Sequence, residues 1–202
     1  MQNPHSPDDE HTCPWCVATP LYREYHDTEW GRPCLDSEAL FQMLCLEGAQ
    51  AGLSWITILN KRAHYQKVFY DFQPEKVARM TDSRIEKLVL DPGIVRHRGK
   101  IESVRSNAKI YLAMAEQGED FAHYIWSFVD HKPKRNRPIS MDTVPSKTDI
   151  SDAMCASLKK RGFKFVGSTI CYAFMQAAGL VNDHLVTCKQ EKQCADEANR
   201  LF

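Results

Sequence analysis

Helical periodicity is the feature that most limits the possible folds of this 202-residue chain. Apolar residues recur every three or four positions along most of its length, the spacing that places them on one face of an α-helix. We find no convincing strand with apolar side chains at every second position, and no internal repeat. Residues 131–148 contain three prolines and no clear period, and they are predicted to form a surface loop. The sequence therefore predicts an all-α fold.

The same periodicity places individual helices. Asp36 is a candidate N-cap for a helix that carries Glu47 and stops at Gly48. A second helix is predicted to run from Trp55 to near Asp71. These predictions put Glu47 in the last turn of a helix.

Length and composition indicate the class of protein. A chain of this size fits one domain, or one domain with a small lobe, and its 43% of hydrophobic residues can form a core. No run of 18 apolar residues is present, so no membrane partner is predicted. Residues 1–12 lack the regions of a secretory signal and are predicted to be a disordered tail. A cytoplasmic location is therefore expected, with the eight cysteines as thiols, core residues or metal ligands.

The distribution of charge says more than the net charge, which is zero. Three clusters of cations contain no acidic residue. Solvated helix ends would explain any one of them, but three together favour a local positive face that binds nucleic acid. The clusters are Arg96, Arg98 and Lys100; Lys132, Lys134, Arg135 and Arg137; and Lys159, Lys160, Arg161 and Lys164.

A glutamate inside an apolar stretch is the most informative position for function. Glu47 lies between Leu46 and Gly48, and Trp55 follows shortly after. Burying a carboxylate is costly unless something pairs with it. A carboxylate beside an aromatic face suits a planar, electron-poor ring. From composition alone the alternative is an exposed glutamate at a helix end, because most glutamates are solvated.

The segment 88–100 has the outline of a helix-hairpin-helix, with Gly93 in its turn. Backbone N–H groups at the start of the second helix would bind a phosphate, and Arg96, Arg98 and Lys100 would add contacts that do not depend on base sequence. The alternative is an ordinary helical corner, because the second glycine usual in such hairpins is absent.

Cysteine and histidine residues near the two ends of the chain form a candidate metal set. His184 and Cys188 are four residues apart and therefore face one side of a helix or turn. Cys13 and His26 lie near the other end. A Cys₂His₂ set is typical of a closed, structural zinc site. A buried thiol and a surface histidine are the alternative.

The tetrapeptide from Cys13 to Cys16 also resembles a thiol–disulfide redox motif. Such a motif needs a strand before it and a helix that begins at its first cysteine. Neither is predicted, so redox catalysis is disfavoured. Cys16 would then either replace Cys13 as a metal ligand or pack as a small apolar group.

Five motifs in order resemble one known family, the 3-methyladenine DNA glycosylase I family of the helix-hairpin-helix superfamily. The resemblance covers residues 13 to about 188. The motifs are YREYHDTEWG (22–31), LEGAQAGLSW (46–55), GIVRHRGK (93–100), KKRGFKFVG (159–167) and GLVNDH (179–184).

The resemblance implies hydrolytic excision of 3-methyladenine from alkylated duplex DNA by base flipping, without strand cleavage and with the free base as product. It places Tyr25, Trp55 and Trp15 around the extruded base, and Tyr22 belongs to the same aromatic group. Glu47 is the candidate catalytic residue, because its carboxylate accepts hydrogen bonds from the exocyclic amine and opposes the ring charge.

The resemblance also assigns a structural zinc to Cys13, His26, His184 and Cys188. Leu53 is the candidate wedge for the vacated base stack. The predicted organisation is a tail (1–12), a glycosylase domain (13–188) with a hairpin near 88–101, and an extension (189–202), acting as a monomer. The alternative function is a zinc-stabilised DNA-binding module without chemistry, which has no use for Glu47 beside aromatic residues.

Overall fold

The computed structural model describes residues 11–202, and this part of the chain is mostly helical. Within it, no helix is both long and apolar enough to cross a membrane. The helices are α1 (Pro20–Thr28), α2 (Ser37–Gln50), α3 (Trp55–Leu59), α4 (Arg62–Val68), α5 (Pro74–Ala78), α6 (Asp82–Val89), α7 (Arg98–Glu116), α8 (Phe121–Trp126), α9 (Asp149–Lys160), α10 (Ser168–Ala177) and α11 (Lys189–Leu201).

Helix α2 is the centre of the fold. It packs against α7, α8 and α10, and α10 packs in turn against α9. From Leu44 to Ala49 every residue of α2 is buried, so the helix has apolar neighbours on more than one side. The core around it includes Phe41, Trp126 and Phe174. The Glu47 side chain in the last turns of α2 is therefore inside the protein.

Several predicted helix boundaries are confirmed, and others shift for local reasons. The Asp36 side chain accepts a hydrogen bond from the backbone N–H of Ala39 at 2.7 Å, as an N-cap does. However, α2 continues past Gly48 to Gln50. The predicted helix from Trp55 to Asp71 is divided between α3 and α4, and three consecutive residues near its end have positive φ.

The prediction that the chain contains no strand was wrong in one place. Lys134–Arg135 (β1) and Val181–Asn182 (β2) form a two-residue parallel pair, with Lys134 opposite Val181. A pair this short leaves no alternating pattern for periodicity to detect. Part of the predicted surface loop 131–148 is therefore fixed to the segment after α10.

The two ends of the described range are ordered parts of the fold. Thr12 is buried, with its hydroxyl 3.7 Å from the Cys16 thiol, so the predicted tail includes at least one residue of the folded domain. The prediction of disorder for residues 1–10 lies outside the described residues. At the other end, the extension 189–202 forms α11, where Glu191 accepts both Arg135 hydrogen bonds at 2.6 and 2.8 Å.

Candidate active site and metal-ligand cluster

A cavity of about 280 Å³ opens between α1, α2, α3 and α10. Its wall combines aromatic rings with a few polar side chains, the composition of a site for a small ring system. Its lining residues are Trp15, Tyr22, Tyr25, Trp30, Glu47, Gln50, Trp55, Met141, Val144, Pro145, Ala173 and Gln176.

Glu47 projects into this cavity from the buried part of α2. Its side chain is only 3% exposed, and burial raises the pKa of the carboxyl to about 8. No ion pair neutralises it within the described part of the chain, because the nearby Arg62 is engaged bidentately by Glu29 at 2.5 and 2.8 Å. The alternative of an exposed glutamate at a helix end is therefore wrong.

Three polar atoms at the cavity have no hydrogen-bond partner in the described structure. They are Glu47 Oε2, Gln50 Oε1 and Trp55 Nε1, all buried. Leaving a buried polar atom unpaired costs about 1–3 kcal/mol, so native proteins rarely tolerate three together without a reason. Two acceptors and one donor around one cavity indicate a ligand that carries both donors and an acceptor.

Aromatic rings form two groups around these atoms. Tyr25 and Trp55 have ring centroids 5.4 Å apart and tilted by 43°, and the Tyr25 side chain is buried. Trp15 lies 4.8 Å from Tyr22 and 5.1 Å from Trp30. The four aromatic residues predicted from the sequence thus line the same cavity as Glu47.

The structure adds site residues that the sequence analysis missed. Trp30 and Gln50 lie in the motifs already quoted, and Gln50 is three residues after Glu47, the spacing that puts two side chains on one face of a helix. Gln176 comes from α10, where its amide donates to the buried Asp183 carboxylate at 2.8 Å. The wall contributed by residues 141–145 comes from a segment with no periodic signal.

A tight turn follows α2 beside the cavity. Ala51 has φ −41° and ψ 118°, Gly52 has φ +76°, and the Leu53 N–H donates to the Gln50 carbonyl at 2.6 Å, as in a type II turn. Gly52 supplies the positive φ, and a Cβ there would meet nothing within 4 Å. Leu53 is 42% exposed at the end of this turn.

The predicted hairpin segment joins α6 to α7, and its turn is braced by α4. A Cβ on Gly93 would lie 2.3 Å from the His64 ring, so only glycine fits. His64 in turn bonds Asp91 at 2.8 Å, and the other Asp91 oxygen accepts from the Gly93 N–H at 2.8 Å. The turn is therefore held rigidly against α4.

The hairpin cations do not share one environment. Arg96 is exposed. Arg98 makes two hydrogen bonds of 2.7 Å to Glu86. The sequence prediction that Lys100 contacts phosphate needs correction, because its side chain is buried and its amine donates to two backbone carbonyls.

The prediction of unneutralised basic clusters is also corrected in part. Acidic residues far away in the sequence pair with Arg98, Arg135 and Arg161, and Asp130 lies 3.4 Å from Lys134. Besides the buried Lys100, six cations of the three clusters make no ion pair within 4.0 Å among residues 11–202. They are Arg96, Lys132, Arg137, Lys159, Lys160 and Lys164.

The candidate metal ligands Cys13, His26, His184 and Cys188 come together as predicted. All four are buried, and their ligand atoms lie within 4.8 Å of one another. Cys13 Sγ is 3.7 Å from His184 Nδ1, and Cys188 Sγ is 3.6 Å from His26 Nε2. Tetrahedral zinc holds such ligands roughly 3.3–3.8 Å apart, given its usual bond lengths. The donor set therefore fits a zinc ion.

Both imidazoles in this cluster are oriented by a second partner. His26 Nδ1 lies 2.7 Å from Asp27 Oδ1, and His184 Nε2 lies 3.0 Å from the Trp30 carbonyl. Such acceptors leave the other ring nitrogen free to ligate a metal. The cluster borders the cavity, because the Trp15 ring packs against His26 at 5.2 Å.

The thiol of Cys16 lies close to the His26 imidazole as well as to the backbone. It donates to the Cys13 carbonyl at 3.1 Å, and it is not part of the four-residue group. Residues Pro14–Cys16 form a single 3₁₀ turn rather than the start of an α-helix. The geometry therefore gives no support to a redox motif and leaves Cys13 as the better-placed ligand.

Solved structures define the class of protein first. A crystal structure of a 3-methyladenine DNA glycosylase I superposes with a TM-score of 0.87 at 54% identity, covering 88% of this chain and 98% of that one. A structure from Staphylococcus aureus, described as showing the basis of 3-methyladenine recognition, gives 0.86 at 40% identity over 92% and 98% of the two chains. The fold is that of these DNA glycosylases.

Sequence comparison is more specific. Residues 15–191 match the methyladenine glycosylase family, and the chain belongs to this family. It is 55% identical over 176 residues to DNA-3-methyladenine glycosylase 1 of Escherichia coli, which covers 87% of this chain and 94% of that protein. The Haemophilus influenzae DNA-3-methyladenine glycosylase is 52% identical, with coverages of 87% and 95%. The chain is thus an enzyme that hydrolyses N-glycosyl bonds.

Proposed function

We propose that this enzyme excises 3-methyladenine from alkylated duplex DNA by hydrolysis, after flipping the damaged nucleotide out of the stack. The observation that carries the proposal is the aromatic cavity with its three unpartnered polar atoms. A DNA-binding module without chemistry would gain nothing from burying these atoms, and this is a further reason to set that alternative aside.

The polar atoms fit an aminated purine. Glu47 Oε2 and Gln50 Oε1 accept hydrogen bonds from an exocyclic amine or a ring N–H, and Trp55 Nε1 donates to a ring nitrogen. In DNA the 3-methylated adenine ring carries a positive charge, so aromatic faces attract it by about 0.5–2 kcal/mol more per good contact than a neutral ring. That charge also favours the ionised form of Glu47.

The turn after α2 supports the proposal that the damaged nucleotide is flipped out of the stack. Leu53 is exposed beside the cavity on a turn anchored to α2, and it would fill the vacated stack as an apolar wedge. Extrusion costs a few kcal/mol, less for a damaged base. The backbone N–H groups at the start of α7, together with Arg96, would hold a phosphate of the strand, as in a helix-hairpin-helix.

The chemical step needs little from the protein. A cationic base leaves as a neutral molecule without a general acid, so the enzyme mainly binds, orients and shelters the reacting sugar. Among the described residues that line the cavity none is a lysine, so no amine is placed to form a Schiff base. The reaction is therefore proposed to be hydrolytic, with the DNA strand left intact.

A structural zinc is proposed for the cluster of Cys13, His26, His184 and Cys188. The fit of the donor set and the two oriented imidazoles support it. Zinc bound there would tie the segment before α1 to the segment before α11 and fix Trp15 and Trp30 in the cavity wall. The protein is proposed to act as a monomer in the cytoplasm.

Release of free base from methylated duplex DNA tests the proposed function. The wild-type enzyme should release 3-methyladenine and leave the strand uncut. Glu47→Gln should weaken binding of free 3-methyladenine by roughly one to two powers of ten, because a charged hydrogen bond contributes about 1.5–3 kcal/mol. Calorimetric or NMR titration measures the affinity.

Glu38→Gln is the matched control for this titration. Glu38 lies in the first turn of the same helix α2 and is exposed, so its variant should bind the free base like the wild type. Equal affinities of Glu47→Gln and the wild type would place the base outside this cavity.

Salt dependence tests the phosphate contact. Arg96→Ala should weaken binding to damaged and undamaged duplex alike and lower the salt slope by about one unit. Lys109→Ala is the control, because Lys109 is an exposed cation further along α7 in a groove with Glu75 and Glu116. An unchanged slope in Arg96→Ala would show that this arginine does not contact phosphate.

A further inference from the structure

Lys100 occupies an unusual position for a lysine in a DNA-binding hairpin. It lies in the first turn of α7 with only 9% of its surface exposed. Its amine donates to the Ala49 carbonyl at 2.9 Å and to the Ala51 carbonyl at 2.5 Å. Among residues 11–202 no acidic group pairs with it, and burial lowers its pKa. The carbonyl end of α2 supplies the compensating partial negative charge.

The second of these bonds acts on the turn after α2. The Ala51 carbonyl belongs to the central peptide of the type II turn, and a rotation of this peptide would convert type II into type I. Because a trans peptide holds its C=O and N–H in opposite directions, fixing the carbonyl on Lys100 directs the Gly52 N–H away from Lys100. The space beside Gly52 is open.

The helix that carries Lys100 is itself held against α2. A Cβ on Gly48 would lie 3.3 Å from the Cβ and the carbonyl oxygen of Phe165, and one on Gly99 would lie 3.5 Å from the Phe165 ring. Asn107 of α7 exchanges two hydrogen bonds with the backbone of Lys164, at 3.1 and 2.9 Å. The backbone of α7 at Lys100 is therefore held in place, and the ammonium group reaches the turn from a fixed position.

We propose that Lys100 is a positioning residue, which fixes the central peptide of this turn so that Leu53 and the Gly52 N–H face the DNA. The hairpin that would bind the phosphates and the turn that would enter the stack then move as one unit. This inference rests on the proposed function, and it replaces a phosphate contact by Lys100 with a contact inside the protein.

The test compares Lys100→Met with Arg96→Met in single-turnover excision from a methylated duplex. Lys100→Met should slow excision by roughly 10- to 100-fold, the effect of losing charged hydrogen bonds. Its salt slope for duplex binding should equal that of the wild type, and so should its affinity for free 3-methyladenine, since Glu47 lies within α2 itself. A salt slope lowered by about one unit, as expected for Arg96→Met, would overturn the proposal.

Gly52→Ala perturbs the same peptide without touching a charge or the core. Alanine disfavours φ +76°, so the turn should shift and excision should fall several-fold. If Lys100 acts through this turn, the double variant should be little slower than Lys100→Met alone, whereas independent roles would make the two losses multiply. Multiplied losses would overturn the proposal. If Lys100→Met does not fold, Gly52→Ala alone still tests the proposal, because an unaffected excision rate would overturn it by showing that excision does not need this peptide orientation.

The wild-type control separates this inference from the proposed function. Wild-type enzyme that releases no 3-methyladenine would refute the proposed function itself. A wild type that releases the base, with Lys100→Met excising it at the same rate, would refute the inference alone.

Discussion

Glu47→Gln is expected to raise the free energy of unfolding, and the gain should grow with pH. The Glu47 carboxyl has its pKa raised by burial from 4.5 to about 8. The contribution of such a carboxyl to the free energy of unfolding is fully present below pH 4.5. It is lost as the pH rises to about 8, because folding then requires the carboxyl to take up a proton. The two values correspond to a loss of about 5 kcal/mol over this window. A glutamine at this position does not titrate and avoids the loss.

Urea unfolding of both proteins between pH 4 and 9 measures the difference. The stability curves should run nearly parallel below pH 4.5, diverge up to about pH 8 and become parallel again. Glu38→Gln should follow the wild type throughout, because Glu38 is exposed. A constant offset between Glu47→Gln and the wild type would mean that Glu47 is ionised in the folded protein at neutral pH. If Glu47→Gln is more stable than the wild type but binds the free base more weakly, Glu47 is a residue that serves function at a cost in stability.

Cys188→Ser is expected to lose the metal and to lower the melting temperature by roughly 10 °C or more, because structural zinc contributes directly to folding. Purified wild type should contain one zinc per chain. The variant should also bind free 3-methyladenine more weakly, since Trp15 packs against His26 and the carbonyl of Trp30 bonds His184. Elemental analysis, thermal melting and base titration report these effects separately.

The same measurements decide between the two neighbouring cysteines. Cys13→Ser should behave like Cys188→Ser, whereas Cys16→Ser should retain its metal, because the Cys16 thiol bonds a backbone carbonyl. Stoichiometric zinc in Cys188→Ser would remove this residue from the ligand set. If Cys16→Ser loses its zinc and Cys13→Ser keeps it, Cys16 and not Cys13 is the metal ligand.

The predictable parts of the fold are those set by local signals. The N-cap at Asp36 and the helical character of α2 and α7 follow from side-chain chemistry and periodicity within a few turns. The pairing of β1 with β2 joins residues 134 and 181 over two positions only, so its cause is tertiary. The family resemblance supplied the long-range grouping of the metal ligands, which spacing alone left open.

The site shows the same division between local and tertiary information. Glu47 stood out because a carboxylate in an apolar stretch is unusual, and Trp55 follows it closely. Gln176 gave no such signal, because a glutamine on a helix is ordinary until its neighbours are known. Lys100 was misinterpreted, since a lysine among arginines resembles a phosphate ligand, and its burial depends on how closely α7 approaches the end of α2.

The metal-ligand cluster also sets an order of events during protein synthesis. A domain generally folds as a unit once enough of its chain has emerged. Here Trp15 and Trp30 are made early, but the histidine and cysteine that complete the cluster beneath them, His184 and Cys188, are made late. Nascent or truncated chains that lack these two residues should therefore have no finished base cavity, and incomplete copies of the enzyme should not compete with it for damaged bases.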